Sequence, residues 1–193
     1  MIFKAIEFAA RAHSGQYRKG TQVPYIVHPL NVGRLLIEAG ASEAVVAAGI
    51  LHDTVEDAGV GLEAVREGFG AEVAELVAQV SEPPKSEASW EVRKQALLRR
   101  MAGAAPGAVL IEAADKLDNL TSIAADLRRL GPEVWDRFNR PRESQRWFYG
   151  RMAQALAARA QDPAARALVG QLAEEVREVF GPEPTPDEPP ERR

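Results

Sequence analysis

The chain has 193 residues, 46% of them hydrophobic, with 24 basic against 28 acidic side chains and a formal net charge of −4. It holds no cysteine, which excludes disulfides, thiolate metal ligands and cysteine nucleophiles. The mild acidity gives no global attraction to nucleic acid or to an anionic membrane, and leaves room only for a local basic pocket.

Ala and Leu dominate the apolar residues, whereas the β-branched and aromatic residues that strands favour are sparse, so the composition points to an all-α fold. Ile2, Phe3, Ile6, Ala9 and Ala10 recur at helical spacing, which predicts a first helix to about His13. Lys4, Glu7 and Arg11 interrupt that stretch, so it does not read as a signal peptide. The segment SGQYRKGTQVPYIV reads as a loop. A second helix is expected from about His28-Pro29, since proline is tolerated in a first turn, and it ends at Gly40. Ser42 is the predicted N-cap of a third helix, EAVVAAGILHDTVED, with a nearly continuous apolar face.

The sequence DAGVG then breaks the chain, and short helices are expected at 62–68 and 71–80. SEPPKSEAS is a loop before a helix at 89–103, and Pro106-Gly107 reads as a further break. The long segment AVLIEAADKLDNLTSIAADLRRL is a helix, apolar early and polar later, ended by Gly131-Pro132. Helices at 142–160 and 163–179 complete a domain of residues 1–180. The tail 181–193, GPEPTPDEPPERR, is proline-rich and charged and is expected to stay disordered. No segment approaches the ~20 apolar residues of a membrane span. A cytoplasmic location is expected.

All three histidines fall within the first 52 residues. His52 and Asp53 are adjacent, and Glu56 and Asp57 follow one helical turn later, so His52/Glu56 and Asp53/Asp57 are i,i+4 pairs. Four ionisable groups at the end of an apolar helix are expensive to keep near a core, and a divalent cation would offset that cost. A solvated helix end is the plainer explanation. Asp115 follows an apolar run and is spaced i,i+4 with Asn119, which an amphipathic helix also explains. His28, between Val27 and Pro29, taken alone is a satisfied structural histidine. Together these residues supply two imidazoles and two carboxylates, enough for a hard-to-borderline divalent ion with water completing its shell.

The order His…His-Asp…Asp resembles the HD superfamily of phosphohydrolases, an all-α helical bundle with a metal site at its centre. Three blocks, AHSGQYRKGTQVPYIVHP, AAGILHDTVEDAGV and AADKLDNL, are similar in order and spacing to the signatures of the Rel/Spo alarmone hydrolases. The likeness covers residues 5–120; beyond it only a tryptophan and the cluster Trp147-Phe148-Tyr149 match. The chain has no room for the synthetase and regulatory domains of the long family members and is similar to the small stand-alone hydrolases.

The resemblance implies that His28, His52, Asp53 and Asp115 hold a metal, usually Mn²⁺. It assigns Glu56 and Asp57 to orienting or activating the attacking water, Arg18 and Lys19 to holding the nucleotide, and Asn119 to its ribose or pyrophosphate. His13 and Tyr25 belong to the motif as scaffolding, and Arg142 and Trp147 are further candidate contacts. Asp118 departs from the pattern, which has histidine or tyrosine there; an extra carboxylate would weaken substrate or recruit a further cation.

The activity implied is hydrolysis of the 3′-pyrophosphate of guanosine tetra- or pentaphosphate, releasing pyrophosphate and GDP or GTP. Alternatives are an HD phosphohydrolase of another nucleotide, such as NADPH or a deoxynucleotide, and a non-catalytic guanine-nucleotide sensor. The implied partner is that small-molecule substrate, with neither nucleic acid nor membrane, and a homo-oligomer is compatible with the sequence.

Overall fold

The computed structural model describes residues 1–83, 86–182 and 187. Among them it contains the helices α1 (Ile2–Ala12), α2 (Val27–Glu38), α3 (Glu43–Leu51), α4 (Thr54–Asp57) and α5 (Leu62–Phe69). It continues through α6 (Ala71–Val80), α7 (Trp90–Met101), α8 (Pro106–Leu130), α9 (Arg142–Ala157) and α10 (Pro163–Phe180). The fold is all-α, as the composition indicates; no strand occurs among the described residues, only an isolated bridge between Tyr17 and Pro24 that ties the first long loop. No helix among them is long and apolar enough to cross a membrane. The tail predicted to be disordered lies outside the described residues, apart from Gly181, Pro182 and Asp187.

The helix starts follow local chemistry. The side chains of Ser42, Ser89 and Asp162 accept from the backbone N–H groups of Val45, Val92 and Ala165, satisfying donors at the starts of α3, α7 and α10. Pro106-Gly107 is not a break. Proline at the first helical position loses no useful donor, so α8 begins at Pro106 itself. Gly131, at φ 71°, ends α8, and a 3-10 helix, Gly131–Arg137, leads toward α9. That element lacks a periodic apolar pattern and the sequence reading missed it.

The core is organised by α3 and α8. Every residue from Val45 to Leu51 is buried, so α3 is covered on all sides. The early half of α8 is also sunk in the core, and the helix meets α2, α3, α6, α9 and α10 along its length. Close approach of α2 to α3 needs glycine. A Cβ at Gly33 would lie 2.8 Å from Ile50 Cγ1, and one at Gly49 would overlap Leu36 Cδ1. The short connection 39–42 turns α3 back along α2, so the start of α2 meets the end of α3. His28 and His52 are thereby brought to a ring-centroid separation of 5.2 Å.

The predicted single helix 43–57 is divided. Two side chains take carbonyls near the end of α3: His52 Nδ1 is 2.7 Å from the Gly49 carbonyl, and Thr54 Oγ1 donates to Leu51 at 2.7 Å. Such local side-chain bonds compete with the helical ladder. The chain turns at His52-Asp53 and resumes as the short α4, which carries Glu56 and Asp57.

Candidate metal centre and adjoining cleft

Four side chains from three places in the chain meet at the middle of the bundle. His28 comes from the first turn of α2, His52 and Asp53 from the turn after α3, and Asp115 from the buried half of α8. His28 Nε2 lies 3.1 Å from Asp115 Oδ1 and 3.5 Å from Asp53 Oδ2. His52 Nε2 lies 3.1 Å from Asp53 Oδ2 and 3.7 Å from Asp115 Oδ1. Donor atoms of His28, His52 and Asp53 all fall within 4.8 Å of one another, so this group can hold a divalent ion. The His52 Nε2 atom is buried and makes no hydrogen bond of acceptable geometry, despite the nearby Asp53 oxygen. An orphaned ring nitrogen aimed between two carboxylates suits a cation, and the nitrogen-oxygen donor set is that of a hard-to-borderline metal.

The charges here are strongly coupled. Burial disfavours a charged His52, but Asp53 and Asp115 outweigh it and hold its pKa well above the usual imidazole value. Burial likewise disfavours a charged Asp53, but the facing His52 and His28 hold it below the ordinary carboxylate range. Asp115 is depressed too: burial opposes this, and Lys116 and the two histidines prevail.

A second layer fixes these side chains. The Tyr25 hydroxyl donates to Asp53 Oδ2 at 2.5 Å, and burial followed by the Asp53 charge drives the phenol pKa far upward. Asn119 donates to Asp115 Oδ1 at 2.5 Å and accepts from Arg18 at 2.9 Å. His13 stands behind Tyr25 at a centroid distance of 4.8 Å, and its Nδ1 is 2.8 Å from Gln16 Oε1. Gln16 in turn donates to the Asp57 carbonyl at 3.0 Å, which ties the loop to α4. Asp118 faces the imidazole: its Oδ2 is 2.6 Å from His28 Nδ1, and its Oδ1 accepts from Asn31 at 2.8 Å. It reaches the centre from behind a histidine, a place not foreseen for an extra carboxylate beside phosphates.

Sequence reasoning missed a buried ionic group alongside. Lys116 is paired with Asp115, and its Nζ lies 3.2 Å from Glu112 Oε2. Burial opposes the Lys116 charge, yet Asp115 and Glu112 raise its pKa well above the ordinary value. Burial pushes Glu112 up to about 7, against the pull of Lys116. The available signal was Glu112 itself, a charge inside the apolar run LIEAA and spaced i,i+4 with Lys116.

Glu56 lines a cavity of about 340 Å³ together with Lys19, Arg93, Lys94, Lys116 and Asn119, closed by Trp90, Phe138, Phe148 and Tyr149. A second cavity of about 200 Å³ shares Lys19, Asn119, Phe138 and Tyr149 with it and adds Arg18, Tyr25 and Arg137. The two adjoin through Asn119, whose hydrogen bond to Asp115 links the cleft wall to the centre. Glu56 Oε2 accepts from the Glu82 backbone N–H at 3.3 Å, and Oε1 is 3.7 Å from Arg93. Burial, then Glu82, Asp53 and Asp57, raise the Glu56 pKa. Glu82 also anchors two cleft cations, Arg93 at 2.6 Å and Lys94. Lys19 Nζ donates to Asn139 Oδ1 at 3.1 Å.

The two further candidates are placed elsewhere. Arg142 donates to the Phe180 carbonyl at 2.8 Å and so caps the end of α10. Trp147 is 2% exposed, packs on Trp90, and donates its Nε1–H to the Asp187 carbonyl at 3.3 Å.

An all-helical bundle in which a histidine, a His-Asp doublet and a distant aspartate converge at the middle is the HD class of domain. The family model for the HD domain matches residues 5–143. The human protein "Guanosine-3′,5′-bis(diphosphate) 3′-pyrophosphohydrolase MESH1" is 43% identical over 140 residues, spanning 69% of this chain and 73% of that protein. The protein from Aquifex aeolicus (strain VF5) with the same enzyme name is 39% identical over 126 residues, 63% of this chain but 18% of that longer protein. A solved structure of "a metazoan ortholog of SpoT" that "hydrolyzes ppGpp" superposes with a TM-score of 0.74 at 30% identity, covering 92% of this chain and 96% of that one. The chain belongs to the HD-domain family of Rel/Spo-type (p)ppGpp hydrolases.

Proposed function

We propose that this chain, through a domain of residues 1–180, is a divalent-metal-dependent 3′-pyrophosphohydrolase of guanosine tetra- and pentaphosphate. The observation that carries the reading is the meeting of His28, His52, Asp53 and Asp115, which Asn119 links to a cleft lined by Glu56 and several cations. These four side chains would hold the ion, Mn²⁺ suiting two imidazoles and two carboxylates. When bound, the ion supplies Lewis-acid polarisation of the phosphoryl group and acidifies water.

The chain's own residues do the rest. Arg18 and Lys19 bind the anionic nucleotide from the first loop, supplying local positive charge in a mildly acidic chain. Asn119, held between Arg18 and Asp115, presents its amide to the ribose or diphosphate beside the reacting bond. Glu56 takes the proton from the attacking water; its raised pKa moves it toward the range where a general base is effective near neutral pH. Asp57, next to it on α4, orients that water. Attack on the phosphorus attached to the 3′-oxygen breaks that P–O bond, the 3′-oxygen takes up a proton, and pyrophosphate leaves with GDP or GTP.

The test is pyrophosphate release from ppGpp by metal-stripped protein, with Mn²⁺ added back and Asp53→Ala as control. Turnover that requires Mn²⁺ and disappears in the variant is expected. Absence of turnover by Mn²⁺-loaded wild-type protein would overturn the substrate assignment.

A further inference from the structure

The two imidazoles of the centre are oriented by different chemistry. His52 sets its Nδ1 on a neutral backbone carbonyl, that of Gly49. His28 sets its Nδ1 on the carboxylate of Asp118 at 2.6 Å, while its Nε2 faces Asp115 and Asp53. His28 is 1% exposed, so its ring is largely withdrawn from bulk solvent. Asp118 is itself anchored on its other side, where Asn31 donates to Oδ1 at 2.8 Å. Arg18 approaches Oδ2 to 4.0 Å. Asn31 and His28 lie on α2 and Asp118 on α8, so the three-residue chain also spans the contact between the helices that bring His28 to Asp115.

From this geometry we propose that Asp118 is a positioning residue for metal binding, an inference that rests on His28 being a ligand. By accepting the Nδ1 proton, Asp118 fixes the tautomer in which the Nε2 lone pair points into the centre. It also fixes the orientation of the ring, because Asn31 holds the carboxylate in place from its other side. A carboxylate behind a ligating histidine has this effect generally, and its loss costs about 10–100-fold in metal affinity. Asp118 touches neither the ion nor the reacting bond. Its side chain borders a cavity of about 280 Å³ that Arg18, His28, Asn31 and Arg129 also line.

The experiment is Mn²⁺ titration of the metal-stripped full chain, read by the loss of the free-ion electron paramagnetic resonance signal, without nucleotide. Asp118→Ala should bind Mn²⁺ about 10–100-fold more weakly than wild type. Asp118→Asn keeps an acceptor for the Nδ1 proton without the charge and should fall between them. Thermal melts in chelator check that each variant is folded, and the Asn variant carries the test if the Ala variant does not fold. Near-wild-type kcat for the Asn variant at saturating Mn²⁺, with a raised Mn²⁺ requirement, would separate positioning from a direct part in turnover. Wild-type Mn²⁺ affinity in folded Asp118→Ala would overturn the proposal. Mn²⁺ binding with no ppGpp turnover would instead sink the hydrolase reading and leave this one standing.

Discussion

The centre depends on how closely α2 and α3 approach, and replacing Gly49 by alanine tests that dependence. A Cβ at Gly49 would overlap Leu36 Cδ1 and come within 3.3 Å of Val32 Cγ1, and both side chains are fully buried. Overpacking of this kind costs about 1–3 kcal/mol. Alanine returns up to about 1 kcal/mol of helix propensity. The net expectation for Gly49→Ala is a loss of up to about 2 kcal/mol, equivalent to a melting midpoint lower by up to about 8 °C for a chain of this size. Gly170 in α10 supplies the control: it is exposed and a Cβ there meets nothing within 4 Å. Gly170→Ala should stabilise by about 0.5–1 kcal/mol and shift the midpoint upward. Calorimetric or circular-dichroism melts of both variants in chelator provide the comparison. Because the Gly49 carbonyl also orients His52, added Mn²⁺ should restore less stability to Gly49→Ala than to wild type. A midpoint for Gly49→Ala that rises as it does for Gly170→Ala would refute the close-approach argument.

Two further outcomes concern protons. Glu56→Gln should lower kcat by about 10²–10⁴-fold while leaving Mn²⁺ affinity near wild type. A general base works deprotonated, so wild-type kcat/KM should fall with decreasing pH through a raised Glu56 pKa, above the ordinary glutamate value of 4.5. An acid limb below that value would count against Glu56. His52 in the metal-free centre keeps its proton to well above 6.5, whereas a metal ligand must be neutral. Mn²⁺ affinity should therefore weaken as pH falls, and binding at pH 7 should release protons. Titration calorimetry in buffers of different ionisation enthalpy measures this, and a heat independent of buffer would contradict it.

Much of the fold was legible because its signals are local. Ser42 before an apolar run, Gly131 after a polar helical stretch and proline at 163 each act within one turn, and the helices beside them lie close to their predicted places. The errors came where side chains redirected the backbone. The prediction of one helix over 43–57 rested on apolar periodicity, which carries no sign that His52 and Thr54 would take the Gly49 and Leu51 carbonyls. Pro106 carried a local signal that admits two outcomes, break or first turn, and burial of the following residues decided it. The meeting of His28, His52, Asp53 and Asp115 was legible as a motif order. The partners behind them were not, since Asp118 meets His28 across 90 positions of sequence and Asn119 meets Arg18 across 101. No periodicity connects such residues; only the crossing of α2 over α8 and the fold of the first loop do.

The arrangement of charge explains how a mildly acidic chain can serve a strongly anionic substrate. Cations facing the cleft are backed by carboxylates: Lys116 by Asp115 and Glu112, Arg93 and Lys94 by Glu82, and Arg140 by Glu91 at 2.6 Å. Each carboxylate lowers the field its cation presents, so the cleft is less attractive to phosphate than the same cations alone would be. It also fixes a long side chain in advance, which reduces the ordering cost when an anion arrives. The balance leaves Asp53 and Asp115 as a concentration of negative charge beside the cleft, countered in the metal-free protein by the histidines and Lys116. A divalent cation there would change the sign of the local field that the 3′-diphosphate of the proposed substrate meets. Metal binding and substrate binding are then one electrostatic problem. Its solution requires the carboxylates that, without a metal, would repel the substrate.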